Sequence, residues 1–251
     1  MVAWYFLLAF AITWSLQLPA LLAAHHVIDG PTDRYMALVG LGAFGPMAAA
    51  VIASRIEGTG IRALLRPLSI WRVDARWYLA ALALPGGIFV VAAGAYDLLG
   101  GHREPLLYPP SNAAYALAAL VFPFGEEIGW RGFAFPRLRD RIGPLGASVV
   151  IGVAWTFWHV PMLTLQGVAS WLYLVFVPFM VGGSILFAWI YQHTRGSLLL
   201  AVLTHVGAHL SNPGHAMPAR WAPMVIHAAA YALLAVILLR ADPGVWRRTS
   251  P

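Results

Sequence analysis

"IGPLGASVVIGVAWTFWHVPMLTLQGVASWLYLVFVPFMVGGSILFAWIYQHT", residues 142 to 194, runs without a single Asp, Glu, Lys or Arg. A helix needs about 20 apolar residues to cross ~30 Å of hydrocarbon. This stretch is therefore long enough for two spans, with Gln166 and Gly167 at the break. Further charge-free stretches cover 1 to 28, 35 to 54, 77 to 96, 105 to 125, 196 to 219 and 221 to 239. Divided at Pro, Gly and His, the chain predicts eight transmembrane helices, at 3 to 23, 35 to 54, 77 to 98, 112 to 136, 145 to 165, 170 to 192, 197 to 212 and 221 to 240. The expected fold class is all-α, a polytopic integral membrane protein whose helices surround an intramembrane polar cavity. One membrane domain is expected over 1 to 251, with its core at about 112 to 240.

Composition agrees with that reading. Hydrophobic residues make up 60% of the chain and charged residues 10%, whereas soluble domains carry about 25% charged residues. The first apolar stretch has no basic residue before it, Arg34 being the first, and no clear cleavage site after it, so it reads as a helix and not as a signal peptide. With no cysteine, disulfides, thiol nucleophiles and thiolate metal ligands are excluded.

All sixteen basic residues are arginine. Taking alternate connections, Arg55, Arg62, Arg66, Arg72 and Arg76 fall on one side with Arg137, Arg139, Arg141, Arg195, Arg240, Arg247 and Arg248. Arg34, Arg103 and Arg220 fall on the other. The positive-inside rule makes the rich side cytoplasmic, placing both termini there and the protein in the cytoplasmic membrane. The net charge of +6 then follows from topology and calls for no nucleic-acid partner. The segment 54 to 77 alternates Ile61, Leu64, Leu65, Leu68 and Trp71 with Arg62, Arg66 and Arg72. It reads as an amphipathic element in the cytoplasmic interface or as an ordinary basic loop. Gly45, Ala49 and Ala53 have the spacing that lets helices approach closely.

Ionisable groups inside spans cost roughly 2.5 to 3.5 kcal/mol each on insertion scales, which makes them functional candidates. "FGEEIGWRGFAFPRL", 124 to 138, carries three of them. Glu126 and Glu127 point about 100° apart on a helix, while Glu127 and Arg131, four apart, can pair. Glu127 and Arg131 are expected to form a structural ion pair. Glu126, on a face with Phe122, Gly129, Trp130 and Phe133, then lacks a local partner and is available for proton transfer. Gly125 and Gly129 leave room beside it for a helix or a substrate backbone. His159 in "WTFWHVP", and His205 and His209 in "LTHVGAHLSN", lie on other apolar helices. Burying so many polar groups separately would be costly, so a shared polar cavity is expected. His25, His26, His193 and His227 read as packing or loop residues.

These residues resemble a known family. "EEIGWR" fits Glu-Glu-x-x-x-Arg, "WTFWH" approaches Phe-x-x-x-His and "HVGAH" approaches His-x-x-x-Asn, in that order and each on its own helix. The chain is similar to the CPBP intramembrane proteases, which include type II CAAX prenyl endopeptidases and Abi-type bacteriocin-processing or self-immunity proteins. The resemblance implies a metal-free glutamic endopeptidase acting on a membrane-associated peptide or protein in the lipid bilayer. In it Glu126 activates a water, His159 helps hold that water, His205 helps stabilise the oxyanion, and Glu127 pairs with Arg131. The chain departs from the pattern twice. Trp155 stands at the Phe, a change expected to alter packing alone. His209 stands at the Asn; a histidine can also donate to an oxyanion in a suitable tautomer or when protonated, and Asn212, three residues further, is the less favoured alternative.

Three other readings compete. Three histidines and a carboxylate are legitimate zinc ligands, and His205 and His209 have helical metal-pair spacing, although His-Glu-x-x-His is absent. Glu and His chains also mark proton-coupled transporters, but no internal repeat is evident. A non-catalytic scaffold or immunity protein would keep the site only in part.

Overall fold

The computed structural model describes residues 1–101, 113–211 and 221–247. Asn212, Arg103, Arg220 and Arg248 lie outside the described residues, as does the first residue of the helix expected from 112. Among the described residues all regular structure is helical. The elements are α1 (Val2–Ala24), α2 (Met36–Gly42), α3 (Gly45–Ile56), α4 (Gly60–Leu65), α5 (Ala75–Leu98), α6 (Ala113–Glu127), a π-helical turn (Ile128–Ala134), α7 (Phe135–Trp158), α8 (Val160–Leu165), α9 (Leu172–His193), α10 (Leu198–Ser211) and α11 (Trp221–Ala241). The protein is an all-α polytopic membrane protein. By length and hydropathy α1, α5, α9 and α11 can each cross a membrane. The segments Thr32–Gly42 and Gly45–Ile56 add a fifth span if that pair, bent by 40°, counts as one. The other expected spans are shorter, charged or interrupted, and do not meet that criterion on their own.

Three interruptions have local causes. The helix expected over 35 to 54 breaks between Gly42 and Gly45, where Pro46 follows as a helix-starting residue. The Thr13 hydroxyl donates to the Gly42 carbonyl at 2.8 Å and accepts from the Trp158 indole at 2.8 Å, so a side chain of α1 satisfies the opened backbone. Helix α7 is broken at Gly143, whose φ of 79° suits glycine, directly before Pro144. The helix expected over 145 to 165 ends at Trp158, with Pro161 two residues past His159. His159 therefore sits at a helix junction and not in mid-span.

Small residues allow backbones to meet. Gly45, Ala49 and Ala53 are buried where α3 packs on α1. A Cβ at Gly129 would lie 2.5 Å from the Pro46 Cβ and 2.6 Å from its carbonyl oxygen, and one at Gly125 would lie 2.6 Å from the Ala43 oxygen. The space beside Glu126 is thus filled by the α2–α3 junction and the start of α3, one of the two occupants expected from sequence.

The basic connections gather at one end of the bundle. Arg137 pairs with Glu57 at 2.5 Å and lies over the Phe133 ring, and Arg195 donates to the Arg72 carbonyl. The Ser197 hydroxyl donates to the Ile70 carbonyl at 2.6 Å. At the same end His193 contacts Asp242 at 2.5 Å and stacks on Trp77, while Trp189 donates to Asp242. These donors hold the Asp242 carboxyl below its ordinary range. In 54 to 77, α4 buries Leu64 and exposes Arg62, and Arg66 and Arg72 beyond it are exposed as well, an amphipathic arrangement; Trp71 is exposed. His25 and His26 are exposed, and His227 lies against Phe89, 5.4 Å between ring centroids.

Replacing Gly129 by Ala should destabilise the protein by about 1 to 3 kcal/mol through overpacking against Pro46. Gly94, with open space about its Cβ position, should instead gain roughly 0.5 to 1 kcal/mol as Ala. Thermal unfolding in one detergent compares them, and equal shifts would contradict the close approach.

Candidate active site

Glu126 and Glu127 end α6 where the chain widens into the π-helical turn, a geometry that recurs at functional sites. Arg131 lies within that turn and is fully buried, as is Glu127. Its Nη1 donates to Glu127 Oε1 at 3.0 Å, so the expected ion pair is present. The guanidinium lies 5.0 Å from the Trp155 ring centroid and 4.7 Å from that of Phe187. Two aromatic side chains thus supply a cation–π environment in place of water.

Glu127 has a second partner that sequence spacing did not reveal. Its Oε1 also contacts His205 Nδ1 at 3.0 Å. A carboxylate oxygen that accepts from Arg131 is an acceptor for the imidazole too, so His205 donates through Nδ1. In the neutral ring the lone pair then sits on Nε2.

Glu126 is buried, and its Oε2 accepts a hydrogen bond from the Trp155 indole at 2.7 Å. This corrects the expectation that Trp155 alters packing alone, and gives Glu126, which was expected to lack a local partner, a distant one on another helix. A phenylalanine there could not donate. The available signal was a tryptophan one turn before His159 in an apolar helix, because a buried indole N–H usually finds an acceptor. Trp155 also touches the rings of His159, His205 and Phe187, with centroids 6.0, 5.2 and 5.8 Å away.

His159 Nδ1 donates to the Trp155 carbonyl at 2.8 Å, which leaves the lone pair of its neutral ring on Nε2 as well. His205 and His209 meet edge to face at 4.6 Å. Glu126, Trp155, His159, His205 and His209 all line one cavity of about 350 Å³. Its remaining wall is largely apolar, including Val39, Phe122, Phe176, Phe179, Met180 and Tyr231. Such a chamber, with a few convergent polar groups, is the usual form of a small-molecule or peptide subsite. Among the described residues, Glu126, His205 and His209 bring potential ligand atoms within 4.8 Å of one another; His159 does not join that set.

Removing Arg131 would leave the buried Glu127 carboxylate without its guanidinium counter-charge, with His205 as its remaining contact. Arg131→Ala should cost about 3 to 5 kcal/mol of stability, read by thermal unfolding. A loss under 1 kcal/mol would contradict the clamp.

Residues 108–211 match the family model described as Type II CAAX prenyl endopeptidase Rce1-like. A segment is 31% identical over 88 residues to CAAX prenyl protease 2 of Methanococcus maripaludis. The aligned part is 32% of this chain and 32% of that protein, so the match spans about a third of the relative's length. The three polar motifs, from Glu126 to His209, all lie inside the matched residues. Over residues 108–211, then, the chain is similar to the Rce1-like, type II CAAX prenyl endopeptidases.

Proposed function

We propose that the protein is an intramembrane endopeptidase that hydrolyses a peptide bond of a membrane-associated peptide or protein with a water activated by Glu126. The observation that carries the reading is a buried carboxylate, anchored through one oxygen by Trp155, in an apolar cavity shared with three histidines. Glu126 takes a proton from water, and the hydroxide adds to the scissile carbonyl. Collapse of the tetrahedral intermediate expels the amine, which leaves with the proton Glu126 took up. His159, through its Nε2 lone pair, accepts a hydrogen bond from the attacking water and holds it.

The oxyanion needs donors. With Nδ1 committed to Glu127, His205 donates from Nε2 when it is an imidazolium, and Glu127 counters that charge. His209 is the second donor, in the place where the resembled pattern has Asn. Glu127 and Arg131 position His205 and do not touch the reacting atoms. Hydrolysis of this kind needs no metal.

The apolar wall suits a substrate with apolar groups beside the scissile bond, entering from lipid. The name of the archaeal relative extends this to a prenylated C-terminal peptide. The arginine-rich end of the bundle is the cytoplasmic one, with both termini on that side of the cell membrane.

Glu126→Gln keeps an acceptor for Trp155 and removes the base. Mapping of new peptide termini in membranes should find wild-type products missing from the variant; identical products from both would refute the protease reading. Trp155→Phe removes a hydrogen bond to a charged group, worth about 1.5 to 3 kcal/mol. It should lower kcat/KM by roughly 10- to 100-fold. Unchanged kinetics would show that the indole does not position Glu126.

A further inference from the structure

The polar end of the cavity is rich in lone pairs. Both contacted imidazoles spend their Nδ1 protons elsewhere, His159 on the Trp155 carbonyl and His205 on Glu127. Glu126 is itself an acceptor when ionised. In the neutral-histidine state, groups of this kind favour a cation.

A specific cation fits. Glu126 from the end of α6, and His205 and His209 one turn apart on α10, place one ligand atom each within 4.8 Å of the others. Two imidazoles and one carboxylate, with a further position open to the cavity, form the donor set of Zn²⁺ sites of the catalytic type. Hard cations such as Mg²⁺ and Ca²⁺ prefer oxygen ligands. Two of the three ligands also have the outer partners that zinc sites use. A ligating histidine donates its other N–H to a carboxylate, as His205 does to Glu127, and a ligating carboxylate is itself hydrogen-bonded, as Glu126 is by Trp155. With asparagine at 209 the triad would lose an imidazole, so the site is a property of this chain and not of the pattern it resembles.

We propose that Glu126, His205 and His209 form a Zn²⁺ site, and that zinc bound there opposes hydrolysis. The opposition rests on the function proposed above, since Glu126 cannot serve as zinc ligand and general base together. The ligand set does not rest on it.

The test uses full-length protein purified without a polyhistidine tag, stripped by a chelator and titrated with Zn²⁺ alone. One equivalent should bind in the micromolar range or tighter, and Co²⁺ in its place should give the visible bands of a tetrahedral nitrogen and oxygen site. His209→Asn should weaken binding by more than the roughly tenfold that follows loss of an outer partner. His193→Asn, whose histidine pairs with Asp242 outside the cavity, should leave it unchanged. Absence of stoichiometric binding, or equal binding by wild type and His209→Asn, overturns the site. Cleavage assays on the same samples separate the two proposals. Stripped protein that cleaves and is slowed as zinc fills the site supports both. Stripped protein that is inactive until zinc is added keeps the site and overturns the metal-free role of Glu126. Stripped protein that cleaves and binds no zinc overturns the site alone.

Discussion

One oxygen atom organises the centre of this protein. Glu127 Oε1 accepts from Arg131 within its own turn and from His205 on α10. Arg131 is held between Trp155 of α7 and Phe187 of α9, and Trp155 in turn holds Glu126. Four helical segments are thus keyed to one carboxylate. A buried ion pair is weak evidence for stability, since desolvation offsets much of its attraction. Its value here lies in fixing which way His205 and Trp155 present themselves to the cavity.

That arrangement gives the adjacent glutamates different surroundings. Glu127 faces Arg131 and His205 and does not line the cavity. Glu126 has one oxygen anchored and lines the chamber. For His159 and His205, an Nδ1 proton given to a fixed acceptor likewise sets the orientation of the ring. The apolar wall strengthens each of these polar contacts by excluding water.

Much of this was legible in the sequence. Spacing alone paired Glu127 with Arg131, and Gly125 and Gly129 announced the close approach that Pro46 and Ala43 make. The arginine pattern anticipated connections that gather at one end. Helix breaks were less legible. Charge-free runs locate apolar segments but are blind to where a side chain such as Thr13, far away in sequence, satisfies an opened turn. The bend at Gly42 to Gly45 escaped for that reason, whereas the junction at His159 had a local signal in Pro161. Trp155 was read by its ring, whereas its N–H determines its role. The second bond of Glu127 was invisible because it joins residues 78 positions apart.

The division of labour between the two glutamates is tested most directly by thermal unfolding of Glu127→Gln beside Glu126→Gln in one detergent. The account predicts that Glu127→Gln loses about 3 to 5 kcal/mol, because it leaves Arg131 buried without a counter-charge. Glu126→Gln should stay close to wild type. Equal losses in the two variants, or a loss confined to Glu126→Gln, would contradict the account.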